Sequence, residues 1–255
     1  MEAHGLRIGY GQKKQWKTVA GEIDFTLLQG ELAAIVGING IGKSTLLRTL
    51  GRVQPKLDGG IFLDGLPIDG LGPLALASKI SMVLTEPLAS KNLAVWELLA
   101  LGRQPYTNWL GTLASEDRSK IALAIELVGI GDLQYKKCYE LSDGQLQKVM
   151  IARALAQDTS IILLDEPTSH LDLYHKVQIL KLLGSIAHET QKTVLFTTHE
   201  IEIAIQLCDK MLVMDREECY FGQPCELILQ GCFQKLFPAD TIVFDPDTGS
   251  FKVKK

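Results

Sequence analysis

The segment Gly37-Ile38-Asn39-Gly40-Ile41-Gly42-Lys43-Ser44 has the spacing of a Walker A phosphate-binding loop. Glycines let successive backbone N–H groups turn inward as an anion nest, and a helix starting behind them adds its positive end. Lys43 can then reach the β- and γ-phosphates of a nucleoside triphosphate, and the Ser44 hydroxyl is placed to ligate Mg²⁺. Four fixed positions arise by chance in about one in a hundred chains of this length. The flanks suit the motif: an apolar strand over Leu32–Val36 precedes it and a helical run over Thr45–Leu50 follows.

A second pair of groups makes hydrolysis plausible. Ile161-Ile162-Leu163-Leu164 is an apolar strand ending in Asp165-Glu166. Asp165 is placed to hold Mg²⁺ as a Walker B aspartate does, and Glu166 to polarise an attacking water as general base. The plainer alternative is that either carboxylate caps the turn before Pro167. His199 follows another apolar run, Thr193–Thr198, so it lies at the same carboxyl edge, where open α/β sheets bind ligands. There it would contact the γ-phosphate, or serve as an ordinary core or capping histidine. Leu141-Ser142-Asp143-Gly144-Gln145 precedes a helix read over Leu146–Ala156. Ser142 and Gln145 fit a capping box, which explains the motif as a helix start and also makes an anion site.

These groups need a scaffold, and the chain offers one. Apolar runs at Leu32–Val36, Ile80–Leu84, Ile161–Leu164, Thr193–Thr198 and Met211–Met214 alternate with helix-period segments. Ile121, Ile125 and Val128 share one face of a helix over Ser115–Val128, ended by Gly129. Leu173, Val177, Leu180 and Leu183 repeat the spacing over Leu173–Ile186. Continuous apolar strands between helices predict an α/β fold with a largely parallel sheet. The N-terminal part, punctuated at Gly9–Gly11, Gly30 and Asp58-Gly59-Gly60, predicts antiparallel strands. Residues 88–157 read as an inserted helical subdomain, leaving 1–87 and 158–255 as one core. Asp245-Pro246-Asp247-Thr248-Gly249 reads as a turn.

Composition narrows the classes. The chain has 255 residues, 46% hydrophobic and 22% charged, with net charge −4. That suits one large domain and disfavours nucleic acid as a partner. The longest stretch free of Asp, Glu, Lys and Arg, Gln104–Ser115, is 12 residues, against roughly 20 apolar residues for a bilayer span. No signal peptide is visible at Met1-Glu2-Ala3-His4. Five cysteines without a CxxC pair disfavour a disulfide framework and a zinc site, and point to reduced thiols in a cytoplasmic protein.

Taken together, the motifs and their order resemble the nucleotide-binding subunit of ATP-binding cassette (ABC) transporters over nearly the whole chain. That family has a P-loop (RecA-like) core, an N-terminal antiparallel β subdomain and a helical subdomain. Leu141–Gln145 corresponds to its LSGGQ signature, with Asp143 replacing the first glycine, so Asp143 must point away from the phosphates. The resemblance puts Tyr10 on the adenine and Gly37, Asn39, Gly40, Gly42, Lys43, Ser44 and Thr45 around the phosphates. Ser169-His170-Leu171-Asp172 looks like the D-loop, with Asp172 at the nucleotide, and His199 matches the switch histidine. Glu86 is assigned the place of the Q-loop glutamine and would join Ser44 and Asp165 at Mg²⁺. Glu166, His199 and Lys43 would carry the chemistry.

The family sandwiches ATP between the P-loop of one subunit and the signature of the other. This chain has one of each, so the resemblance implies a homodimer in which Ser142, Gly144 and Gln145 face ATP on the partner. Opening and closing would drive a membrane partner. Val83-Leu84-Thr85-Glu86, the run Leu98–Tyr106, Leu6–Gly11 and Phe244–Gly249 are similar to importer ATPases for iron-siderophores, haem and cobalamin, expected in that order. Such a subunit lies peripherally on the cytoplasmic face of the inner membrane, with a polytopic permease dimer and, indirectly, a substrate-binding protein. Residues 86–115 would receive the permease, with Trp109 and Leu110 exposed. The competing class is a soluble single-cassette ATPase of the iron–sulfur cluster assembly type. A GTPase is disfavoured because no NKxD motif occurs.

Overall fold

Near the N terminus, buried Ala3, Leu6 and Ile8 are interleaved with exposed His4 and Arg7, the pattern of a sheet with one wet face. The computed structural model describes residues 1–12, 15–238 and 240–254. Strands β1 (Glu2–Gln12) and β2 (Gln15–Thr26) pair antiparallel. Next, β3 (Leu32–Val36) runs into α1 (Lys43–Leu50) through the Walker A loop. Then β4 (Asp58–Leu63) and β5 (Leu66–Pro67) return beside β1, giving a four-stranded antiparallel sheet of order β2-β1-β4-β5.

After α2 (Pro73–Ala77) and β6 (Ile80–Val83), three helices follow: α3 (Val95–Leu101), α4 (Ser115–Val128) and α5 (Asp143–Ala156). The chain then alternates through β7 (Ile161–Leu164), α6 (Leu173–Thr190), β8 (Thr193–Thr197), α7 (Ile201–Leu207) and β9 (Lys210–Met214). It ends with β10 (Cys219–Gly222), α8 (Pro224–Leu229) and the hairpin β11 (Ile242–Asp245)–β12 (Ser250–Val253), joined at the expected Asp245–Gly249 turn.

The second sheet has six strands in the order β10-β9-β3-β8-β7-β6; only β10 is antiparallel to its neighbour. Its central strands β3, β7 and β8 are buried at every position. Side chains alternate between its faces. Ala33, Ile35, Leu163 and Leu195 pack with Leu46, Leu47 and Leu50 of α1 and with the antiparallel sheet. Ala34, Val36, Ile162, Leu164 and Phe196 pack with Ile179, Leu180 and Leu183 of α6. The same core continues into Leu98, Leu99, Ile121, Ile125, Val128 and Val149 of α3, α4 and α5.

Several boundaries differ from expectation, each for a local reason. Helix α5 begins at Asp143 rather than Leu146, because Ser142 caps it and its first turn already includes Gly144 and Gln145. Helix α1 likewise begins at Lys43, and α6 runs on to Thr190. Leu173, placed by periodicity on the core face of α6, is 67% exposed. The first turn of that helix borders the cleft beside Ser142 and Gly144, and burial starts at Ile179.

Candidate nucleotide site

Because β3, β8 and β7 are parallel neighbours, everything that follows their carboxyl ends gathers at one edge. The loop after β3 owes its shape to glycine. Gly42 sits at φ 116°, and a Cβ there would lie 2.4 Å from Cγ1 of Val19; a Cβ on Gly37 would lie 2.5 Å from the Met214 carbonyl oxygen. Helix α1 starts immediately behind, with no acidic residue in its first turn, so its free N–H groups face an anion unopposed.

Lys43 is almost fully buried and folds back over this loop. Its Nζ donates to the carbonyl oxygens of Gly37 at 2.9 Å and Ile38 at 3.2 Å, and to His199 Nδ1 at 3.3 Å. Burial pushes its ammonium below the ordinary lysine value, while Glu166 and Asp165 act in the opposite direction. On the far side of the ring, His199 Nε2 donates to Glu166 Oε1 at 2.5 Å. Lys43, His199 and Glu166 therefore form one hydrogen-bonded chain, with the imidazole proton on Nε2 by the logic of its partners. The expected Lys43, Glu166 and His199 do meet.

Asp165, also nearly fully buried, is held by hydroxyls. Ser44 Oγ and Thr197 Oγ1 each donate to Oδ1 at 2.8 Å, and Thr85 Oγ1 lies 3.5 Å from Oδ2. The backbone N–H of Glu166 donates to the same Thr197 hydroxyl at 2.8 Å. Glu166 has φ 48°, a conformation that L residues rarely adopt, and the Thr197 bond helps to hold it. Thr197 was not predicted as a site residue. The available signal was the pair Thr197-Thr198 closing the apolar run Val194–Phe196 just before His199.

A cleft of about 440 Å³ is lined by Tyr10, Asn39, Gly40, Gly42, Lys43, Ser44, Thr45, Glu166 and His199, with Val19 added. Tyr10 is half exposed at its mouth, its ring 5.9 Å from Lys17 Nζ. Glu86 lines a separate cleft of about 320 Å³ that also includes Asp143, Asp165, Glu166 and His170. There Arg48 Nη2 donates to Glu86 Oε1 at 2.6 Å, and the residue nearer to Asp165 is Thr85. The signature residues divide. Ser142, Gly144 and Gln145 line a third cleft, whereas Asp143 faces the second. Asp172 caps α6, accepting the His175 backbone N–H at 2.9 Å, with His175 Nδ1 2.8 Å from its other oxygen.

Comparison with known proteins now adds to the geometry. The ABC transporter family matches residues 20–169. The chain belongs to the ABC transporter family.

The cassette is 33% identical to the iron(3+)-hydroxamate import ATP-binding protein FhuC of Bacillus subtilis, over 95% of this chain and 90% of the relative. It is 33% identical to the achromobactin transport ATP-binding protein CbrD of Dickeya dadantii, over 94% and 89%. Among solved structures, an ABC transporter of metal-chelate type in an inward-facing conformation superposes with TM-score 0.79 at 28% identity, covering 92% of the cassette and 88% of that chain. A dimeric ATP-binding cassette in a post-hydrolysis state, bound to ADP and Pi, gives TM-score 0.73 at 26% identity, covering 88% and 98%. The cassette is an ATP-hydrolysing enzyme of this family. Among the described residues, no helix is long and apolar enough to cross a membrane.

Proposed function

We propose that this cassette is the ATPase subunit of an importer that takes up a metal chelate, with an iron-siderophore as first choice of cargo, then haem, then cobalamin. It works as a homodimer on a polytopic permease at the cytoplasmic face of the membrane, with a substrate-binding protein supplying the cargo. Relatives named for achromobactin transport, siderophore transport and iron(3+)-hydroxamate import, matched over 83–90% of their length, support the cargo class. The dimeric reading is carried by one observation: Ser142, Gly144 and Gln145 line a cleft separate from that of Lys43 and Ser44. A second copy is needed to bring a signature over the phosphates.

Each side chain then has a task. The Gly37–Thr45 loop cradles the phosphates with its N–H groups, and Lys43 exchanges its carbonyl partners for phosphate oxygens. Tyr10 stacks on adenine. Ser44 Oγ and Asp165 Oδ1, 2.8 Å apart, are a hard oxygen pair that suits Mg²⁺ alongside phosphate oxygens, with Glu86 or Thr85 at the margin. Bound there, the ion would neutralise charge on the β- and γ-phosphates. Glu166 accepts the proton of the attacking water, and His199 orients that carboxylate. Asp143 faces away from the signature cleft, so its charge does not oppose a phosphate bound there.

Two measurements test the reading. Light scattering of E166Q in excess MgATP is expected to show a stable dimer; a monomer would overturn the composite site. Purification of the tagged cassette from mild-detergent membranes is expected to bring down a polytopic permease in stoichiometric amount. Soluble partners alone would overturn the importer and favour an ATPase of the cluster-assembly type.

A further inference from the structure

The cleft beside the signature contains an arrangement that the family roles above leave unused. His175 stands in the first turn of α6, and its ring is fixed from two directions. Its Nδ1 lies 2.8 Å from Asp172 Oδ2, and its backbone N–H donates to Asp172 Oδ1 at 2.9 Å. Tyr174 meets the ring edge-on, with centroids 5.4 Å apart at 85°. Asp172 carries its negative charge readily, because the His175 amide and then the ring hydrogen-bond it and hold its carboxyl below the ordinary range. With Nδ1–H given to this carboxylate, Nε2 is left without a hydrogen-bond partner among the described residues.

That free edge faces the signature. A Cβ added to Gly144 would lie 3.5 Å from His175 Cδ2, the ring carbon bonded to Nε2. The ring shares a cleft of about 260 Å³ with Ser142, Gly144, Gln145 and Lys148. A carboxylate that fixes one nitrogen of an imidazole and leaves the other open is how proteins aim a histidine at a ligand. A purely structural cap would not need the ring, because the backbone N–H of His175 already satisfies Asp172 as N-cap.

We propose that His175, aimed by Asp172 and carrying a proton on both ring nitrogens when the dimer closes, is a further contact of the signature half-site, donating Nε2–H to the terminal phosphate of the ATP held on the partner's P-loop. Asp172 acts on the nucleotide through this ring and is a positioning residue. The proposal rests on the homodimeric reading above. It assigns one additional phosphate contact to each site, made only when two chains close, so it strengthens the closed dimer without touching the nucleotide in a single chain.

The test is MgATP-driven dimerisation in an E166Q background, followed by light scattering, with H175A, H175Q and H175N added in turn. H175A is expected to raise the MgATP concentration for half-dimerisation roughly tenfold, the worth of one lost charge-assisted hydrogen bond. H175Q, whose amide reaches about as far as Nε2, is expected to restore most of that loss. H175N keeps a donor for Asp172 without the reach, and is expected to behave as H175A. Binding of a fluorescent ATP analogue to the single chain, at protein concentrations too low to dimerise, is expected to stay unchanged in all three. Parent-like dimerisation by H175A or H175N, or a loss already present in the single chain, would overturn the contact. Failure of E166Q itself to dimerise would overturn the homodimeric reading instead.

Discussion

Arg48 Nη2 donates to Glu86 Oε1 at 2.6 Å, tying the helix behind the phosphate loop to the segment that leaves β6. The pair is half exposed, so it adds at most about 1 kcal/mol to stability. Its weight is electrostatic and local, because Glu86 shares a cleft with Asp143, Asp165 and Glu166. E86Q keeps an acceptor for Arg48 and removes one negative charge, so ATP hydrolysis is expected to persist or rise up to about threefold in steady-state assays. R48A leaves the carboxylate unpaired near the phosphates and is expected to raise KM for ATP about threefold. Complete loss of turnover in E86Q would mean that the carboxylate itself takes part in hydrolysis.

Thr197 joins the two acidic residues that have different tasks. One hydroxyl donates to Asp165 Oδ1 and accepts from the Glu166 backbone N–H, both at 2.8 Å, in a fully buried position. T197V preserves shape and removes both bonds, leaving the partly buried N–H of Glu166, itself at φ 48°, unpaired. The expected cost is about 1–3 kcal/mol of stability in urea unfolding. We expect kcat to fall about tenfold with KM for ATP little changed, because Glu166 is misplaced while Lys43 and the loop remain. T197S retains the hydroxyl and is expected to restore kcat; failure of that rescue would indicate a packing defect.

Sequence could supply this much of the site because its parts are local. The loop Gly37–Ser44 and the pair Asp165-Glu166 are contiguous, and strand ends place them together once the sheet is parallel. Strands Leu32–Val36 and Ile161–Leu164 and helix Ser115–Val128 were legible to the residue, because continuous or helix-period burial leaves little choice of register. What escaped depended on contacts between distant segments. Thr197 meets Asp165 across 32 residues, and Arg48 meets Glu86 across 38. No period or motif encodes either pairing. The cap at Ser142 was legible as a capping box, whereas which clefts Asp143 and Gly144 would line depended on the segments packed around them.

An almost fully buried ion pair supports the three-helix region. Arg103 Nε donates to Asp117 Oδ1 at 2.8 Å, its Nη1 donates to the Ala156 carbonyl at 2.9 Å, and its guanidinium sits 4.0 Å from the Tyr106 ring centroid. Burial alone would raise the Asp117 carboxyl, but Arg103 and the Ala114 amide outweigh it and hold the group below its ordinary value. The pair therefore stabilises the fold above the unfolded value near 3.8, and that stability is lost as pH falls through the lower folded value. D117N strands a buried guanidinium and is expected to cost about 3–5 kcal/mol in urea unfolding at pH 7. The variant should also lose part of the acid sensitivity of the parent. A cost below about 1 kcal/mol would show that Tyr106 and Ala156 suffice to hold Arg103.

Trp109 is 91% exposed and Leu110 66%, next to each other between α3 and α4, where a globular chain gains nothing from showing an indole to water. The Asn108 carboxamide accepts the N–H groups of Leu110 and Thr112, both at 3.1 Å, so this loop presents the pair in an ordered turn. Neither residue lines the nucleotide cleft. Under the importer reading they are where the permease seats, and substituting charged residues there should break coupling and nothing else. W109E/L110E is expected to bind ATP as the parent does and to keep basal hydrolysis within about twofold, while uptake through the reconstituted permease falls at least tenfold, since a buried charge at the contact must be desolvated. Unchanged uptake in the double variant would remove this surface from the coupling path.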